Sequence, residues 1–215
     1  MNANRFAPYD QLARQLLPMN QADGDGAHDI SHLERVWRNA KAIQTEEGGE
    51  LELLAASVLL HDCVQVPKNS PIRESASRLA AEKARAVLET LQWERPCIEV
   101  VAGAIESHSY SAGIVPTSLE GRILQDADRL DAIGLTGIAR CFYTGGRMGS
   151  ALYDSSDPRG EERPLDDRRF ALDHFPKKLL KLVDGFQTPA GQRLARDRQR
   201  NLQDFYDGML AEIGS

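Results

Sequence analysis

The apolar positions along this chain repeat mostly at helical spacing. Residues 75–91 carry Ala76, Leu79, Ala80, Ala84, Val87, Leu88 and Leu91 on one side, which predicts an amphipathic helix. Residues 28–47 carry a stripe of Leu33, Val36, Ala40 and Ile43, and Gly48-Gly49 should stop that helix. The first ~18 residues read as a short helix through Phe6, Leu12, Leu16 and Leu17, followed by a loop over 21–27. Residues 51–64 are apolar nearly all round. That pattern alone also suits a strand, but the length and the Leu/Ala content favour a buried central helix.

After a loop at 67–71, Pro96 suits the first turn of a helix carrying Ile98, Val101, Ala102 and Ile105. Residues 111–116 break the chain, and Thr117 or Ser118 caps a helix through Leu119, Ile123, Ala127 and Leu130. Gly134 and Gly137 leave the far end of that helix open. Residues 145–167 are the least regular stretch, rich in Gly and charge, and read as a disordered segment or a lid. A helix near 170–183 and a last one capped by Thr188, with Pro189 at its first position, complete the chain. No repeat and no dividing linker is visible. The expectation is a single all-α domain over 1–215, with a core at about 28–144, a lid-like loop at about 145–167 and C-terminal helices at about 170–213.

Composition supports helices and narrows the partners. Aromatics are only 6% of the 215 residues, and 26 Lys plus Arg against 32 Asp plus Glu give a net charge of −6. That balance argues against duplex nucleic acid and against an anionic membrane surface. It leaves a phosphorylated small molecule open, because a metal ion and a few local cations override a distant negative field. Cys63, Cys97 and Cys141 form no Cys-x-x-Cys, so reduced thiols and a cytoplasmic location are expected. The first ten residues lack a signal-peptide pattern, and the apolar run at 53–60 is too short to span a membrane.

The candidate chemistry lies in histidines and carboxylates. His32 falls on the apolar side of its helix, one turn after His28. His61-Asp62 follows the apolar run directly, and ionisable groups at the end of a buried helix need a partner, of which a metal is one. His108 continues the face of Val101 and Ile105, and His174 follows the irregular stretch. Asp126, Asp128 and Asp131 lie within six residues, with Asp128 and Asp131 three apart. Each has a plainer reading. A lone His on an apolar face is usually a satisfied core residue, His28 suits a helix start, and the three Asp suit a solvated edge paired with Arg129. Helical phase does not choose among the three, and puts Asp126 nearest the apolar stripe.

Together these residues resemble the HD-domain superfamily of metal-dependent phosphohydrolases. Its pattern of a His, a His-Asp doublet and a distant Asp matches His32 in HDISHLERV, His61-Asp62 in LLHD and Asp128 in QDADRLDAIG. The segments KNSP, SHSYSAG, QDADRLDAIGLTGIAR, RPLDDRRFALDHF and KLLKL look like the YedJ-like branch. The resemblance implies an all-α fold in which His32, His61, Asp62 and Asp128 bind one divalent ion. Two imidazoles and two carboxylates suit Mn²⁺ or Mg²⁺ first, and also Fe, Co, Ni or Zn. Binuclear relatives use additional histidines, and only His108 and His28 could serve here, so one ion is expected.

The implied activity is hydrolysis of a phosphate ester or phosphoanhydride, with a nucleotide as the expected substrate. Several HD hydrolases carry a Glu three residues after the doublet, where this chain has Gln65, which cannot act as a carboxylate base. That leaves His108, Asp131 or the metal alone to activate water. Lys68 is a candidate phosphate contact, and His174 and Lys178, beside Lys177, are candidates to close over the substrate with the Gly-rich stretch. The rivals are an HD-fold di-iron oxygenase and a non-catalytic metal-binding helical protein.

Overall fold

In a computed structural model, the structure describes residues 3–20, 30–64, 66, 75–109 and 112–214. The fold is all-helical. No strand occurs among the described residues, only an isolated bridge between Ala151 and Phe170. No described helix is long and apolar enough to cross a membrane. The chain forms two compact units, Met1–Asp128 and Arg129–Ser215.

In the first unit, α1 (Asp10–Leu16) lies between short 3₁₀ turns and buries Leu12 and Leu16, while Phe6 and Leu17 are buried in the flanking turns. Next comes α2 (Ile30–Glu47), which buries His32, Leu33, Val36, Trp37, Ala40 and Ile43. It stops where predicted: Gly48 and Gly49 take φ of 81° and 94°, a backbone that other residues rarely adopt. The segment with the ambiguous pattern is a helix, α3 (Leu51–Leu60), and every residue from Leu54 to Leu60 is buried. It is central, packing against α1, α2, α4 (Ala76–Thr90) and α5 (Arg95–Ser107). Its all-round apolarity follows from being enclosed.

The helix predicted to continue to residue 64 ends at Leu60. The Cys63 amide bonds the Leu60 carbonyl at 3.1 Å, a tight turn in place of another helical turn. His61 and Asp62 therefore sit in a turn just beyond the helix. Helix α6 (Leu119–Asp131) runs across the boundary of the two units. Its first-unit part is tied by the Asn39 amide to the Ala127 carbonyl at 3.0 Å, and by Gln125 to the Ser107 carbonyl at 2.6 Å.

In the second unit, α7 (Gly134–Met148) continues through the glycines where an irregular stretch was expected. Glycine suits position 145, because a Cβ there would come within 3.1 Å of the Ala171 Cβ, tighter than ordinary contact. The residues that follow are anchored by Arg163. Its guanidinium donates to both Asp173 oxygens at 2.6 and 2.9 Å, lies 3.1 Å from Asp154 and stacks on Phe170. That bonding pattern lies in the stretch for which the sequence allows either disorder or a lid. The single helix expected near 170–183 is instead broken into a 3₁₀ turn, α8 (His174–Lys177) and a second 3₁₀ stretch. The break falls at Lys178, whose φ of −137° leaves the helical range. The last helix, α9 (Pro189–Glu212), is capped as predicted, with the Thr188 hydroxyl accepting from the Gly191 amide at 3.0 Å.

Candidate metal centre

Five ionisable side chains of the first unit converge. His32 comes from the first turn of α2, and His61 and Asp62 from the end of α3. His108 stands at the end of α5 and Asp128 on α6. The Nε2 atoms of His32 and His61 are 3.2 Å apart. Asp62 Oδ2 lies 3.7 Å from His32 Nε2 and 3.5 Å from His61 Nε2. Asp128 Oδ1 lies 3.5 Å and 4.0 Å from the same two nitrogens. Asp62 turns its other oxygen to His108, whose Nε2 is 3.9 Å away.

Backbone carbonyls set the tautomers. His61 Nδ1 bonds the Val58 carbonyl at 2.9 Å, and His108 Nδ1 bonds the Ile105 carbonyl at 2.6 Å. Both rings use one device: a His just past a helix end donates to the carbonyl three residues back. A proton on Nδ1 leaves the Nε2 lone pair pointing into the cluster. Burial pushes the His61 pKa below the usual 6.5, against the raising effect of Asp62 and Asp128, so the ring is held neutral.

These donors fit a divalent cation. Ligands bound at about 2.1 Å round one ion stand roughly 3.0–3.4 Å apart. The two imidazole nitrogens already have that spacing, and the carboxylates, the more exposed donors, stand 3.5–4.0 Å from them. Among the described residues two groups could hold an ion: His32, His61 and Asp128, and His61, Asp62 and His108. They share His61, whose second nitrogen is committed to Val58. Cys63 is no competitor. Burial raises its thiol pKa to about 11, and the thiol donates to the Ala80 carbonyl at 3.6 Å.

The structure brings Asp128, not Asp126, to the imidazoles. Asp126 is fully buried, and Asp128 lies roughly 200° further round the helix, at the partly exposed rim of the cluster. Apolar phase therefore found the buried carboxylate rather than the one facing the histidines. Asp131, the candidate base, is 1% exposed and its carboxylate takes Arg140 Nη1 at 2.6 Å. His174 and Lys177 both bond Asp167, at 2.8 and 2.6 Å, and Lys178 is half-buried. His28, Gln65 and Lys68 lie outside the described residues. Sequence reasoning missed Val58 and Ile105, whose contribution is a carbonyl that any residue supplies.

The all-helical fold thus holds a buried His pair, a His-Asp doublet and a distant Asp in one cluster. The HD-domain family profile matches residues 29–133. The "uncharacterized protein YpgQ" of Bacillus subtilis is 31% identical over 191 residues, covering 89% of this chain and 87% of that one. A crystal structure of B. subtilis YpgQ in complex with ADP superposes with a TM-score of 0.73 at 29% identity, covering 94% of this chain and 98% of that one. An HD-superfamily hydrolase from Bacillus thuringiensis superposes with a TM-score of 0.71 at 30% identity, covering 99% and 98%. The chain belongs to the HD-domain superfamily and has the fold of its hydrolases.

Proposed function

We propose that this protein is a metal-dependent phosphohydrolase that cleaves a phosphate ester or phosphoanhydride bond of a nucleotide. The observation that carries the reading is that Asp62 and Asp128 each face the paired Nε2 atoms of His32 and His61, with donor separations of 3.2–4.0 Å. Those four residues would hold one divalent ion, with Mn²⁺ or Mg²⁺ favoured by the mixed nitrogen and oxygen donors. When bound, the ion supplies Lewis acidity, polarising a phosphoryl oxygen and acidifying water.

The chain's own residues do the rest. His32, neutral His61 and the two carboxylates would hold the ion, the carboxylates offsetting its charge. His108 stands beside the ligands, ring to ring with His61 at 4.9 Å, and exchanges a proton at Nε2 with water or the leaving oxygen. Lys68, His174 and Lys178 remain candidate phosphate contacts, each to be tested by substitution. Asp131 serves less well as a base, since Arg140 holds its carboxylate. The nucleotide class is supported by ADP in the related YpgQ structure. The di-iron oxygenase reading needs a second ion, and the shared His61 disfavours it.

The test is a screen of nucleoside mono-, di- and triphosphates with Mn²⁺, Mg²⁺, Fe²⁺, Co²⁺, Ni²⁺ and Zn²⁺. Orthophosphate and pyrophosphate are measured separately, because they report different bonds. Metal-dependent release of either supports the reading. Tight metal binding without turnover would favour a non-catalytic metal protein.

A further inference from the structure

The His61-Asp62 doublet lies past the last regular turn of α3, so helical hydrogen bonding does not hold it. Other groups do. The carbonyl of Val58 accepts from His61 Nδ1 at 2.9 Å, that of Leu59 from Asn20 Nδ2 at 2.8 Å, and that of Leu60 from the Cys63 amide at 3.1 Å. The final carbonyls of the helix are thus satisfied by a ligand ring, a distant side chain and the turn itself.

One residue further on, Cys63 is gripped from α4. Its thiol donates to the Ala80 carbonyl, and its own carbonyl accepts from Lys83 Nζ at 2.9 Å. The same ammonium donates to the Met19 carbonyl at 2.7 Å. Lys83 therefore joins the end of the N-terminal helical segment, the turn after the doublet and α4. A cation near the carboxyl end of α3 also complements the dipole of that helix. A lysine suits the task, because one ammonium carries three donors and can serve two carbonyls together.

We propose that Lys83 is a positioning residue for the metal centre. By bridging the Met19 and Cys63 carbonyls it fixes the turn that presents His61 and Asp62, and so tunes metal affinity without touching the ion. This rests on the metal reading of the site.

The test uses three variants of the full chain. Lys83→Met keeps the side-chain stem and removes the ammonium. Lys83→Arg keeps charge and donors. Glu99→Ala breaks the 3.1 Å pair with Arg85 between α4 and α5 and leaves the turn alone. Two quantities are read: Mn²⁺ affinity by calorimetry, and exchange of the Cys63 amide in metal-free protein. Lys83→Met should weaken Mn²⁺ binding about 10-fold or more, as loss of an outer-shell partner does, and speed Cys63 exchange. Lys83→Arg should recover most of both, and Glu99→Ala should match the parent. Parental Mn²⁺ affinity in Lys83→Met overturns the proposal, as does an equal loss in Glu99→Ala. If the parent takes up no Mn²⁺, the metal reading fails and the affinity claim falls with it. Faster Cys63 exchange in Lys83→Met would then place the failure at the metal and not at the turn.

Discussion

Carboxylates in the two units are treated differently. In the second unit they meet cations directly: Asp131 takes Arg140, Asp173 takes Arg163 and Asp167 takes Lys177, each at 2.6 Å. In the first, Asp62 and Asp128 face imidazole nitrogens across 3.5–4.0 Å, and the His61 ring is held neutral. The same residue type thus serves two ends. A carboxylate bonded to Arg or Lys has its charge offset by the chain and contributes to stability. A carboxylate set beside two imidazole nitrogens suits a cation from outside.

That contrast predicts which losses each substitution causes. Asp62→Ala should have the largest effect, abolishing phosphohydrolase activity and lowering metal affinity by more than the roughly 10–100-fold expected for an outer partner. Its helix content, read by circular dichroism, should stay parental. His108→Ala should keep metal content but lower kcat by about 10²-fold or more, as for a lost proton-transfer group. Loss of the metal in that variant would make His108 a ligand and reopen the two-ion arrangement.

Asp131→Ala should do the reverse of Asp62→Ala. Removing the buried carboxylate that takes Arg140 should cost about 3–5 kcal/mol in urea unfolding, with Mn²⁺ affinity of the folded protein unchanged. A fall in affinity with little loss of stability would place Asp131 in the metal centre and break the comparison.

The smallest effect is one of pH. Burial alone would raise the Asp167 pKa, but the hydrogen bonds from Lys177 and His174 prevail and hold it below the usual 3.8. A depressed folded pKa gives stability that is full above the unfolded value and is lost as pH falls through the folded one. Asp167→Asn should therefore be less stable than the parent at neutral pH and converge with it in acid. Unfolding midpoints across pH 2–7 check this.

Much of this architecture is legible in the sequence. The stripes of α2 and α4, the glycine stop after Glu47 and the Thr188 cap are local, and the fold keeps them. The end of α3 is not local. Its termination depends on bonds from Asn20 and Lys83, distant in sequence, and on a side chain folding back to Val58. The break at Lys178 and the Arg163 anchor are likewise set by packing and by Asp173, which periodicity does not record. At the centre, the resemblance to the HD-domain pattern pointed to His32, His61, Asp62 and Asp128, while apolar phase pointed to Asp126. Phase measures burial, and these donors need only face one another.

The central claim is that one divalent ion lies among His32, His61, Asp62 and Asp128. An anomalous difference map from crystals grown with Mn²⁺ tests it most directly. The account predicts a single strong peak bounded by the two Nε2 atoms and the two carboxylates. No peak there, or a peak held by Asp126 or Asp131 instead, would contradict it.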